Sequence, residues 1–170
     1  MVYTVFETYL GWMGVIASES GIRRLTIPLN SPDEVLTNLH YEVGQSDLDP
    51  LYFKGFVKRI QQLFDGELVD FPDPLDLPEA PSFTKTVRQA TCNIPRGQTR
   101  SYGEVAAIAG NPRAGRAVGQ VMASNPVAIL IPCHRVIASD GGLGGYGGHI
   151  NMKKRLLAIE GALDSDGLYN

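Results

Sequence analysis

Cys133, His134 and Arg135 stand in succession within Ile131-Pro132-Cys133-His134-Arg135-Val136-Ile137. A thiol is a useful nucleophile only as the thiolate, and a neighbouring base or positive charge favours that form. Apolar surroundings act the other way and raise the thiol pKa. Cys133 follows the apolar run 127–131, so both influences meet there, and the electropositive neighbours must win for the site to work. A free cysteine taken alone is more often a small buried hydrophobe. In an extended segment adjacent side chains point apart. The thiol and the imidazole then do not touch directly, and a bridging water with His134 as proton relay is the natural arrangement. His134 needs an orienting partner on its far side.

The flanking residues decide between a reactive and a structural thiol. Ahead of Cys133 run Arg116-Ala117-Val118-Gly119 and Asn125-Pro126. Behind it come Gly144-Gly145-Tyr146-Gly147-Gly148 and Leu156-Leu157-Ala158-Ile159-Glu160-Gly161. This ordered set resembles the O6-alkylguanine-DNA alkyltransferases, the methylated-DNA–protein-cysteine methyltransferases. The resemblance is dense from Ser82 to Gly161 and thin before it.

The resemblance implies an activity and assigns roles. The activity is DNA repair by irreversible, stoichiometric transfer of an alkyl group from O6-alkylguanine, and from O4-alkylthymine, to Cys133. The target base must leave the duplex stack to be reached, at a cost of a few kcal/mol. Glu160 is the implied partner of His134. Arg116 matches the arginine that enters the base stack. Tyr102 matches the tyrosine that helps rotate the nucleotide and donates a hydrogen bond to the ring. Thr84, Gly103, Ala114, Gly115 and Ser139 are the further expected DNA contacts, in the minor groove. Met122, Asn125, Val136, Tyr146, Gly147 and Gly148 are the expected pocket, with Asn125 fixing the turn before the nucleophile. Arg135 is expected to tie the two domains together. No cofactor or metal is required. Gly147 replaces a serine and Ala128 a proline found in some relatives; both narrow side chains predict tolerance of alkyl groups larger than methyl.

Gross properties fit. Net charge is −3, but residues 83–170 carry ten Lys/Arg against five Asp/Glu, a net of +5, while residues 1–82 carry −8. Binding responds to the local field, so the basic half can meet phosphates. Two cysteines are too few for a disulfide framework. Cys92 is read as core. No close Cys/His set suggests zinc. No apolar run reaches the roughly 20 residues of a membrane span, and the first residues lack signal-peptide character. The expectation is a cytoplasmic monomer acting on double-stranded DNA.

The elements that must position these groups follow from pattern. The fold class is α+β: a small N-terminal domain over 1–70, a proline-rich linker over 71–81, and a mainly helical C-terminal domain over 82–170. Alternation around 2–8, 12–18 and 22–28 predicts an antiparallel meander. Ser31-Pro32-Asp33-Glu34 opens a helix, Asp49-Pro50 opens another to Phe64, and 67–71 is read as a last strand. Four prolines in 71–81 exclude a helix there. Ser82 is read as a cap for a helix to Asn93. Ser101-Tyr102-Gly103-Glu104 starts a short helix closed by Gly110, and 113–123 forms the next; spacing alone favours an ordinary helical hairpin over a helix-turn-helix, and the family resemblance implies the latter. Gly119 inside it suggests close packing or close approach of a ligand. A glycine-rich loop over 138–149 precedes a final helix over 151–160, whose basic residues 153–155 face phosphate or water.

Three other readings remain: a lesion-binding module without chemistry, a helix-turn-helix regulator, and a cysteine hydrolase. The cysteine opposes the first. The lack of an added domain opposes the second, and the lack of an oxyanion-hole pattern the third.

Overall fold

A computed structural model describes residues 1–147 and 149–163. The chain divides into two compact units: Met1–Pro78 with Pro126–Ala128, and Glu79–Asn125 with Ile129–Asn170.

The first unit is a mixed α/β unit. β1 (Val2–Thr8), β2 (Gly11–Ser18) and β3 (Gly21–Leu25) form the predicted meander. Its alternation is real: Thr4, Phe6, Met13, Val15 and Ala17 turn to one face and are buried. Tyr3, Val5, Trp12 and Ile16 turn to the other and pack with Leu29, Val35 and Leu39. α1 (Pro32–Val43) starts as expected, with Ser31 Oγ accepting the Glu34 N–H at 3.1 Å.

Two expectations for this unit fail. No strand forms over 67–71. The fourth strand is β4 (Asp47–Leu48), parallel to β1, giving the order β3-β2-β1-β4. Two residues are too short for a readable period. The second helix, α2 (Lys54–Phe64), begins later than Asp49-Pro50. Asp49 instead caps a turn, its Oδ1 accepting the Tyr52 N–H at 3.0 Å. Within the proline-rich stretch Leu75 bridges Ile22 at the β3 edge, an edge position that a proline-rich segment can occupy. Pro126–Ala128 bridges Leu25 in the same way, and the Ala128 N–H donates to Leu25 O at 3.1 Å. A proline at 128 lacks that donor.

The second unit is mainly helical: α3 (Ser82–Cys92), β5 (Arg100–Ser101), α4 (Tyr102–Ile108), α5 (Gly115–Ala123), β6 (Val136–Ile137) and α6 (Ile150–Ile159). β5 and β6 pair in parallel. Ser101 and Glu104 form a reciprocal capping box on α4, and Gly110, with φ of 83°, ends the turn after it. α4 and α5 are the two short helices expected there, and they pack against each other. Ser82 is the first helical residue, not the cap, which falls to Pro81 without a side-chain bond. Cys92 is exposed, against expectation. α3 turns Val87, Ala90 and Thr91 inward, a spacing of three and four that leaves residue 92 outside. Val87, Ala90, Val105, Val118, Met122, Cys133 and Val136 share one core.

Candidate active site

Cys133 lies in a single 3-10 turn, Cys133–Arg135, and not in an extended strand. The side chains of 133 and 134 still diverge, because a 3-10 turn rotates about 120° per residue. Both are buried: Cys133 is 6% and His134 1% exposed. The turn is reached through Ile129, the one described non-glycine residue with positive φ, at 74°. A bulky residue there is strained and must be held by its surroundings. Asn125 does part of that holding: its Nδ2 donates to Ile131 O at 2.9 Å and to Cys133 Sγ at 3.2 Å. The first bond is the turn-fixing role foreseen for it. The second, a direct donor to the sulfur, was not.

His134 Nε2 lies 2.9 Å from Glu160 Oε1. Glu160 is the C-cap of α6, where a negative charge is unfavourable. Arg135 compensates it, with Nε to Oε2 and Nη2 to Oε1 both at 2.8 Å. This fork-on-carboxylate pair is the strong geometry for arginine. Its remaining Nη1 donates to Ile94 O at 2.6 Å. Both partners belong to the C-terminal unit, so these bonds differ from the inter-domain tie expected of Arg135. Burial raises the Glu160 pKa, but hydrogen bonds and charge from His134 and Arg135 outweigh it and hold the group at about 2. His134 Nδ1 is buried and has no protein partner.

The contest at the sulfur goes to burial. Burial pushes the Cys133 thiol above its ordinary value, and Asn125, Tyr146 and the Lys153 charge only partly offset it. The expectation that electropositive neighbours win is therefore not met in the free protein. Tyr146 Oη is buried without a hydrogen bond of good geometry, yet it faces the sulfur closely enough to favour the thiolate. Burial, then Cys133 itself, push the Tyr146 phenol well above its usual range.

Lys153 is the residue that sequence reasoning missed. It is fully buried, not turned to phosphate or water. Its Nζ donates to Val136 O at 2.5 Å and Gly145 O at 3.4 Å. The rings of Tyr102 and Tyr146 lie 5.7 and 5.9 Å from it, within cation–π range. Burial lowers its pKa to about 8. The signal was present: Lys153, Leu156 and Leu157 share one face of α6 and are all buried, while Lys154 and Arg155 are exposed.

Tyr102 Oη donates to Gly145 O at 3.4 Å. A Cβ at Gly144, whose φ is 69°, would lie 2.8 Å from the Tyr102 ring, so only glycine fits there. Met122 and Val136 line the same buried core as Cys133, with Tyr146 against it. Gly147 is exposed, and Gly148 lies outside the described residues. Arg116 is exposed in the first turn of α5. Gly103 and Gly115 approach within ordinary contact of one another, 3.8 Å from a Cβ at Gly115 to Gly103 N. Ala114 precedes them as N-cap of α5. Thr84 is half-buried on α3, and Ser139 is exposed beyond β6. A Cβ at Gly119 would meet nothing within 4 Å beyond its own helix, so the anticipated close packing is absent there. Among the described residues no group of His, Cys, Asp and Glu could hold a metal ion, and no helix is long and apolar enough to cross a membrane.

Comparison with known proteins decides the family. Residues 82–162 match the model of the 6-O-methylguanine DNA methyltransferase DNA-binding domain, and residues 1–77 match that family's ribonuclease-like domain. The chain belongs to the 6-O-methylguanine DNA methyltransferase family. Among family members, the methylated-DNA–protein-cysteine methyltransferase of Mycobacterium tuberculosis is 47% identical over 133 residues, 74% of this chain and 80% of that one. The Methanosarcina acetivorans enzyme of the same name is 35% identical over 95% of this chain and 99% of its own. In structure, Mycobacterium tuberculosis OGT in complex with DNA superposes with a TM-score of 0.80, at 37% identity over 95% of this chain and 93% of that chain. The O6-methylguanine-DNA methyltransferase of the archaeon Pyrococcus kodakaraensis gives 0.75, at 29% identity over 94% and 99%. Every polar partner of Cys133, His134 and Glu160 described above falls within the segment matched by the family's DNA-binding domain.

Proposed function

We propose that this chain repairs DNA by moving an alkyl group from O6 of guanine, or O4 of thymine, onto Cys133 Sγ, once per molecule. The observation that carries this reading is a buried cysteine held by Asn125, followed by a histidine whose outer nitrogen is fixed on an arginine-clamped carboxylate.

The chemistry follows from the two ends of His134. Glu160 fixes Nε2 and stabilises imidazolium; Nδ1 has no protein partner and is free to take a proton through one water. The thiol starts protonated because burial raises its pKa. Proton transfer to His134 thus accompanies attack. The Sγ–carbon bond forms in line as the carbon–oxygen bond breaks, and the electron pair leaves on guanine. Tyr102, whose hydroxyl bond to Gly145 O is long, turns to the purine ring and donates there as the negative charge develops. Lys153 stabilises the thiolate and pins the loop carbonyl of Gly145. The thioether has no route back, so the protein is consumed.

DNA binding is assigned to the unit carrying α4 and α5. Arg116 fills the space left by the everted base. Thr84, Gly103, Ala114, Gly115 and Ser139 approach the strands from the minor groove, mostly at phosphate and with little sequence preference. Met122, Asn125, Val136, Tyr146, Gly147 and Gly148 wall the base pocket. In this reading residues 82–170 form the alkyltransferase domain, 71–81 the linker and 1–70 the accessory domain. The protein works as a cytoplasmic monomer.

A stoichiometry experiment tests the proposal. Excess duplex carrying radiolabelled O6-methylguanine should transfer one label per chain and stop. Continued turnover, or no label on the protein, refutes it.

A further inference from the structure

The first unit holds a feature that alkyl transfer does not use. β1 pairs with β2 along its whole length, from Val2↔Ala17 to Thr8↔Gly11. On its other side β4 covers only Val2 and Tyr3. The chain then leaves: the Asp49 N–H takes Tyr3 O at 2.9 Å, and no described strand pairs with residues 4–8 on that side. Met1 O and Tyr3 O point towards β4. Alternate residues of a strand face the same neighbour, so the backbone groups of Val5 and Glu7 face the open side. Among the described residues the Thr4 hydroxyl donates to Val5 O at 3.5 Å and the Gln61 side chain to Glu7 O at 3.4 Å, both long contacts that leave the N–H groups of Val5 and Glu7 without a strand partner. An unpaired edge of this kind is a template for another strand.

The open edge borders a hollow of about 750 Å³, walled by Val5, Trp12, Leu36, Leu48, Leu51 and Val57. Leu48 and Leu51 are 62% and 83% exposed, unusual for leucines beside an apolar hollow. A second hollow of about 450 Å³, beside Glu7, Tyr9 and Gln61, continues along the same strand. Lys54 and Lys58 line the first. They stand four residues apart on α2, on one face. Residues 1–82 carry only five cations. Arg23, Arg24 and Arg59 pair with Asp76, Glu42 and Asp73. The two cations without an ion pair in the described structure are the two at the hollow.

We propose that this edge binds an extended, acidic peptide segment of another protein, added as a further strand beside β1. Its apolar side chains enter the hollow and its carboxylates meet Lys54 and Lys58, the strand-addition mode of recognition. The row of outward backbone groups favours a peptide over a simple amphiphile.

The test uses the full chain labelled for amide NMR and four synthetic peptides. One alternates valine and aspartate, one valine and lysine, and two are the valine–aspartate peptide N-methylated on every valine or on every aspartate. The acidic peptide should shift the Val5 and Glu7 amides saturably. Methylation in one frame should abolish this and in the other leave it, since a strand offers alternate N–H groups to its neighbour. The exposed pair Lys54→Glu and Lys58→Glu should weaken acidic-peptide binding roughly tenfold or more, about 1.4 kcal/mol, and favour the lysine peptide. No shift at Val5 and Glu7, equal binding by both methylated frames, or indifference to the lysine substitutions overturns the proposal. Shifts that grow with protein concentration alone also overturn it, by showing a second copy on the edge. Alkyl transfer measured in parallel is unaffected by any of these outcomes.

Discussion

Glu160 Oε1 sits 2.9 Å from His134 Nε2, and the same oxygen accepts from Arg135 Nη2 at 2.8 Å. One carboxylate therefore orients the imidazole and is itself kept charged by the guanidinium. The next residue after the proton relay supplies the charge that fixes the relay's partner. This gives the run Cys133-His134-Arg135 a physical reason to be contiguous.

Glu160→Gln keeps the shape and removes the charge. Transfer should slow by roughly 100-fold, the lower range for a lost acid–base element, as measured by single-turnover label transfer. Stability should also depend on pH with a definite sign. The folded-state pKa of Glu160 is about 2 against an ordinary 4.5, so the unfolded chain binds the proton first. The stabilisation, roughly 3 kcal/mol, is fully present above about pH 4.5 and is lost as pH falls towards 2. Denaturant titrations across that range should show the loss in the parent and a flatter profile in Glu160→Gln.

Asn125→Ala removes the donor that reaches Cys133 Sγ at 3.2 Å, together with the bond to Ile131 O. The thiol pKa should rise further. The rate of thiol alkylation by iodoacetamide should fall about tenfold at neutral pH, equal to one pKa unit. Stability should drop by about 1–3 kcal/mol for the orphaned carbonyl.

Lys153→Met keeps the length and removes the charge. Between about pH 8 and 10.5 the unfolded chain holds a proton that the buried Lys153 has lost. Stability from this residue therefore rises with pH through that window. The raised Cys133 thiol acts in the opposite direction once pH passes its ordinary value of 9. The parent-minus-variant difference in denaturant midpoint isolates the lysine and should climb from pH 8 upward. Transfer at neutral pH should slow about tenfold in the variant, in line with one unit of thiol pKa.

Arg116→Ala leaves the sulfur untouched and acts on the duplex. Transfer from O6-methylguanine in DNA should fall by roughly tenfold or more, while reaction with the free base O6-benzylguanine stays near the parent rate. The contrast follows from the cost of holding a base out of the stack, a few kcal/mol that the free base does not incur. Competitive rate measurements with both substrates check it.

The residues that announced themselves in the sequence were those whose function demands a fixed local string. The run Cys133-His134-Arg135 is one, although it folds into a 3-10 turn where the sequence predicts extended chain, and the Ser31 and Ser101 caps, which need a hydroxyl three residues before an amide, are others. Glu160 was legible only through family likeness, because nothing local explains a carboxylate at a helix C-terminus. Arg135, which explains it, is distant in sequence. Lys153 was hidden by two basic neighbours that made a solvated face look natural, although Leu156 and Leu157 marked the inward side. Cys92 was misplaced by one position on α3, enough to turn it about 100° from the core. β4 was invisible because its two residues are selected by the edge of β1 and not by their own pattern.

The account stands on the sulfur of Cys133 as the acceptor. Incubation with duplex containing O6-methylguanine, followed by peptide mass spectrometry, measures this directly. The peptide holding Cys133 should gain the mass of one methyl group, the Cys92 peptide should stay unchanged, and Cys133→Ala should bind the duplex yet gain nothing. A methyl on another residue, or lesion binding with Cys133 unmodified, would contradict the account.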